Sequence, residues 1–76
     1  MLSSANRQQV DAFAEFLAKL SPHEVLDAWH QTKTDYVAAA PGSKDVKFAK
    51  TQKAEAEAIK RFGIGKHLKA LNARHP

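Results

Sequence analysis

The chain contains no cysteine, so neither a disulfide nor a thiolate-bound metal can hold its fold. That absence matters at 76 residues. A domain this small buries only about 60–65% of its unfolded surface, and its stability amounts to a few kcal/mol. Small proteins at this limit commonly add a disulfide, a metal or a partner subunit. Because the third amphipathic stretch, residues 44–62, has a thin apolar face, homodimerisation is an expectation. Proline and glycine are scarce too, at three residues each: Pro22, Pro41 and Pro76, and Gly42, Gly63 and Gly65. No apolar run approaches the roughly 20 residues of a membrane span, so no membrane partner is expected. Residues 1–20 lack a basic leader, and Glu15 and Lys19 interrupt the only apolar stretch, so no signal peptide is expected either. Together with the missing cysteine this reads as a cytoplasmic protein.

Between the few prolines and glycines lie stretches with helical periodicity, and the expected fold is all-α. It comprises three amphipathic helices, over about residues 4–20, 22–40 and 44–62, plus a short C-terminal helix over 66–73, in one domain spanning 1–76. The first helix starts at Ser3 or Ser4, whose hydroxyl can cap an unpaired N–H. Val10, Phe13, Phe16, Leu17 and Leu20 fall within an arc of roughly 120°. Opposite them, Arg7–Asp11 and Glu15–Lys19 are placed to pair at a spacing of four. The second helix opens on Ser21-Pro22-His23-Glu24, which has the form of a capping box with proline at the first helical position. Its apolar face is Val25, Leu26, Trp29, Tyr36, Val37 and Ala40, with Trp29 and Tyr36 as core anchors. Pro41-Gly42 ends it and Ser43 is placed to cap the third helix. There Phe48, Ala49, Gln52, Ala56 and Ile59 share a thin apolar face, and Ile64, Leu68 and Leu71 of the tail are expected to fold back on the core. Consecutive helices joined by short turns favour antiparallel neighbours.

Charge is divided unevenly along the chain. Residues 1–42 carry three cations against five acids, a net of −2, while residues 43–76 carry nine cations against three acids, a net of +6. A one-sided basic field attracts polyanions. Lys47, Lys50, Lys53, Lys60 and Arg61 are expected on the solvent face of the third helix, where they can follow a phosphate backbone or form an ordinary solvated surface with pairs such as Glu57–Arg61. Lys66 and Lys69 extend the field into the tail.

The segment Phe62-Gly63-Ile64-Gly65 has the apolar–Gly–apolar–Gly form of a hairpin. It resembles in part the helix-hairpin-helix motif, which implies phosphate contact through backbone N–H groups around Gly63, Gly65 and Lys66. That motif has a proline where Phe62 stands and a small residue where Lys69 stands. Arg61-Phe62-Gly63-Ile64-Gly65-Lys66 also looks like the turn of a helix-turn-helix. The following leucines, Leu68 and Leu71, fall one residue early for a standard recognition helix, a rotation of roughly 100°. The plain alternative for the same glycines is a helix C-cap followed by a basic tail.

His23, Asp27 and His30 line one stripe of the second helix at spacings of four and three. Those are residue types that bind divalent metals, but no fourth ligand accompanies them, and no metal or cofactor is expected. The serines read as helix caps and no nucleophile has an evident base, so the chain reads as a non-enzyme. The leading expectation is a small regulatory or nucleic-acid-binding protein, DNA-binding or RNA-binding, whose contacts come from Lys47, Lys50, Lys53, Lys60, Arg61, Gly63, Gly65, Lys66 and Lys69. The rival is a protein-interaction module, an adaptor or inhibitor that docks the same basic face on an acidic protein.

Overall fold

A computed structural model describes residues 2–76. Among them the chain is all-α, with α1 Ser4–Ala18, α2 Pro22–Ala38, α3 Lys44–Phe62 and α4 Lys66–Arg74, and a single 3₁₀ turn, Pro41–Ser43, between α2 and α3. None of these helices is long and apolar enough to cross a membrane.

The helix starts follow from their caps. The Ser3 hydroxyl accepts the Asn6 N–H at 3.2 Å. At α2 the box closes in both directions: the Ser21 hydroxyl accepts the Glu24 N–H at 3.3 Å, and the Glu24 carboxylate accepts the Ser21 N–H at 2.9 Å. The Ser21 backbone N–H first, and then the Ser21 hydroxyl, hold the Glu24 carboxyl below its ordinary pKa. Ser43 behaves otherwise. The 3₁₀ turn occupies the approach to α3, and the Ser43 hydroxyl donates to the Ala40 carbonyl at 3.2 Å instead of capping α3. The ends of α1 and α2 fall about two residues short of expectation, at Ala18 and Ala38, and α4 runs one residue further, to Arg74. The pairs Arg7–Asp11 and Glu15–Lys19 do not form among the described residues.

α3 is the hub. α2, α1 and α4 all pack on it, whereas α1 and α2 scarcely touch each other. The core contains Leu17, Val25, Leu26, Trp29, Ala54, Ala58 and Leu71. Its α3 members correct the expected face. Ala54 and Ala58 are fully buried, Gln52 and Ala56 are exposed, and Phe48 is about half exposed at 48%. A helix packed by three neighbours presents its smallest residues inward, because methyl side chains let the helix axes approach closely. The inward stripe therefore runs Lys47, Thr51, Ala54, Ala58 and Arg61. Two supposed surface cations lie on it. Phe16, Val37, Ile64 and Leu68, all expected to help cover the core, are exposed. Thr32 is buried in their stead, its hydroxyl donating to the Trp29 carbonyl at 2.7 Å.

Arg61 explains much of this arrangement. α1 has no basic residue in its last turn, and its final carbonyls need donors from elsewhere. Arg61 Nη1 donates to the Leu20 carbonyl at 2.7 Å and Nη2 to the Ala18 carbonyl at 3.1 Å, while Nε is bonded to Glu57 at 2.8 Å. Lys44 does the same for α2, donating to the Tyr36 carbonyl at 3.0 Å with its ammonium 4.6 Å from the centroid of the Tyr36 ring.

Replacing Arg61 by alanine removes several charge-assisted bonds at a largely buried site, and the expected loss is about 2–3 kcal/mol of stability. Lysine, a point donor without the planar fork, recovers less than half of it. Urea unfolding followed by circular dichroism measures both. A loss within error of zero for Arg61→Ala would show that the α1 carbonyls are served by water.

Candidate functional site

The basic half begins with nine cations, and three are spent inside the molecule. Two are Lys44 and Arg61. The third is Arg74, which grips Asp27 of α2 in a two-pronged ion pair, Nε to Oδ1 at 2.6 Å and Nη2 to Oδ2 at 2.9 Å. His75 Nε2 adds a contact to the same carboxylate at 2.7 Å. The His75 ring lies flat on His30, with centroids 4.1 Å apart and planes 2° from parallel. So the His23–Asp27–His30 stripe anchors the C-terminus through two of its members, and the third, His23, is exposed. No group of three or more metal-ligating side chains gathers among the described residues. Arg74 first, then His75, holds the Asp27 carboxyl well below the usual carboxylate range.

The Gly63–Gly65 turn is shaped by two positive φ angles, 95° and 83°, which glycine adopts without strain. Its glycine amides are already engaged. The Gly63 N–H donates to the Ile59 carbonyl at 2.7 Å, and the Gly65 N–H donates to His67 Nδ1 at 3.2 Å. His67 is buried and stacked on Trp29 at 5.3 Å between centroids. Nδ1 also lies 3.3 Å from the Gly63 carbonyl, and Nε2 lies 3.2 Å from the Glu55 carboxylate. Set among lysines, this histidine looks solvated in the sequence. The one available signal was its spacing of four from Leu71, the other buried residue of α4.

Six lysines of this half remain: Lys47, Lys50, Lys53, Lys60, Lys66 and Lys69. No carboxylate lies within ion-pair distance of any of them among the described residues. Meanwhile two of the three acids in the same half, Glu55 and Glu57, are occupied by His67 and Arg61. The expected five-cation face of α3 is divided. Lys47 and Lys50 turn inward and border a groove between α1 and α2, with the Lys50 ammonium 5.7 Å from the Phe13 ring. Lys53 and Lys60 stand about 120–140° around the helix from Lys47, exposed and two turns apart, or about 10 Å along the axis. Lys66 and Lys69 are exposed on α4, just beyond the glycine turn. No protein-family model, no curated protein and no solved structure matches the chain.

The Asp27 cluster sets an acid limit. A carboxyl whose pKa is lowered by folding stabilises the protein above its unfolded value of about 3.9, and that contribution fades as pH falls below it. Asp27→Asn is expected to flatten the stability loss below about pH 4 and to loosen α4, with a small effect at neutral pH because the pair is about 40% exposed, at 41% and 44%. Thermal melts of both proteins between pH 3 and 7 check this. Parallel acid limbs would remove Asp27 as the cause.

Proposed function

We propose that the protein is a small non-enzymatic binder of nucleic-acid phosphates that uses Lys53, Lys60, Lys66 and Lys69. The observation that carries the reading is the sorting of charge just described. Once internal contacts have taken the arginines and most of the acids of the basic half, these four lysines stand exposed and unpaired on two successive helices. Arg61 leaves the expected contact set because its guanidinium is committed to α1 and Glu57. Gly63 and Gly65 leave it because their amides are bonded internally, so they shape the turn that separates Lys60 from Lys66. Lys47 and Lys50 face the groove. Lysine supplies charge without the fixed geometry of base readout, so binding is sequence-independent. The serines support the non-enzymatic reading, since the Ser3, Ser21 and Ser43 hydroxyls all serve the helix ends and the turn.

Four neutralised phosphates imply a logarithmic salt slope of about −3.6 and a loss of roughly a hundredfold in affinity between 50 and 200 mM salt. Fluorescence anisotropy of a labelled mixed-sequence duplex measures it. Lys60→Glu is expected to weaken binding and reduce the slope by about one or more, and Lys19→Glu on α1 to change neither. Failure to bind at 50 mM salt would sink the nucleic-acid reading and turn attention to an acidic protein as the target of the same lysines.

A further inference from the structure

His67 is the one buried histidine among the described residues, and the lysine surface makes no use of it. Its ring is stacked on Trp29 of α2, with the two planes 18° from parallel. On one side Nε2 faces the Glu55 carboxylate of α3 at 3.2 Å. An ionised carboxylate only accepts, so a hydrogen bond there needs a ring proton on Nε2. On the other side Nδ1 stands between two backbone groups of opposite kind. The Gly65 N–H is 3.2 Å away and the Gly63 carbonyl 3.3 Å away. A neutral ring with its proton on Nε2 can use only the N–H. An imidazolium, protonated on both nitrogens, can use only the carbonyl. Each form therefore finds partners for both nitrogens without leaving its place.

We propose that His67 and the Gly63–Gly65 turn form a proton-driven switch: the neutral ring holds the Gly65 N–H, and the protonated ring bonds the Gly63 carbonyl and releases that N–H. The step adds one proton from water to Nδ1 and exchanges one hydrogen bond for another. The Gly63 carbonyl has a lone pair to spare, since its backbone partner in the turn is the His67 N–H alone, at 3.0 Å. The turn has room to respond. The space that a Cβ would fill is empty at both glycines, and Ile64 between them is 84% exposed, with little packing to lose. The added charge is met inside the molecule. Glu55 of α3 attracts it, and the face of Trp29 offers a cation–π contact. Lys33 of α2, whose ammonium lies 5.4 Å from the Trp29 ring centroid, opposes it. Histidine is the side chain whose ordinary charge change falls between about pH 5 and 8, so the switch needs no unusual group. The turn separates Lys60 from Lys66, which puts the switch within the lysine surface, yet it does not depend on what that surface binds.

The test uses the full chain without nucleic acid, so its outcome is independent of duplex binding. Nitrogen-15 NMR follows the His67 ring and the Gly65 amide between about pH 8 and 5. On acidification Nδ1 is expected to change from a bare to a protonated nitrogen. The Gly65 amide is expected to shift in the same transition and to exchange faster with water. Helicity by circular dichroism is expected to stay constant, because the ring keeps its place. His67→Gln is expected to abolish the Gly65 transition, whereas His30→Gln and His75→Gln, at the Asp27 cluster, are expected to preserve it. Since His67 is buried, Glu55→Gln tests the device from a side chain that is 43% exposed. Without the carboxylate the Gly65 transition is expected to move to lower pH, because an opposite charge beside the ring favours its protonated form. A Gly65 amide that stays constant while the His67 ring titrates overturns the proposal. So does a ring already protonated at Nδ1 at the alkaline end, or one that stays neutral until the chain unfolds. Loss of helicity in the same step also overturns it, since the ring is then expelled instead of changing partners.

Discussion

The carbonyls at the ends of α1 and α2 are bonded by cations from another helix, and the rest of the structure depends on that. Neither helix has a basic residue in its last turn. Carbonyls at a helix end carry partial negative charge and need donors. Arg61 and Lys44, near opposite ends of α3, supply them. This pins α3 alongside the C-terminal ends of both preceding helices and makes it the shared support for α1 and α2. The alanines at 54 and 58 follow from the same constraint, since a helix gripped at both ends and packed on several sides must be narrow in the middle. So does the groove. Two helices docked separately on a third need not meet, and between α1 and α2 Phe16 is left exposed and Phe13 and Leu20 only partly covered.

The division of labour between arginine and lysine has a physical basis. Both arginines of the basic half are structural: Arg61 spreads its donors over carbonyls and a carboxylate, and Arg74 grips Asp27 with two. A planar guanidinium suits such fixed, multiple contacts. Lys53, Lys60, Lys66 and Lys69 are left as solvated charges on flexible stems. Net charge therefore overstates how many groups are available to a ligand. The +6 of residues 43–76 includes cations that neutralise helix ends and a carboxylate on the acidic half. The groups that remain free share one chemistry, that of solvated ammonium ions.

The helices were legible in the sequence because their signals are local. Ser21, Pro22 and Glu24 sit within one turn, and a capping box forms from neighbours alone. The core positions Leu17, Val25, Leu26 and Trp29 were legible for a similar reason, since large apolar side chains at helical spacing have few other places to go. The face of α3 was not. Alanine there reads equally as a helix former and as a packing surface, and choosing the larger residues, Phe48 and Ile59, selected the wrong side. The role of Arg61 was hidden because its partners lie more than 40 positions away, at Leu20 and Ala18. Its spacing to Glu57 was visible, but that pair only orients a guanidinium aimed at α1. His67 was missed because a histidine among lysines looks solvated, whereas the turn at Gly63 and Gly65 rotates it under Trp29.

The candidate lysine surface was legible only in part, and the same long-range contacts explain why. A helical wheel places Lys47, Lys50, Lys53, Lys60 and Arg61 on one broad arc but cannot say which edge of the arc meets a neighbour. Once Arg61 is drawn to the end of α1, the rotation of α3 is set. Lys47 must then face inward, and Lys53 and Lys60 must face water. The same rotation places Lys47 and Lys50 at the groove that Glu24, Asp27 and Asp35 also line, and leaves Lys53 and Lys60 exposed. The charge asymmetry along the chain thus does not carry over whole to the surface, and it is the commitment of Arg61 to the end of α1 that divides the cations of α3 between groove and solvent.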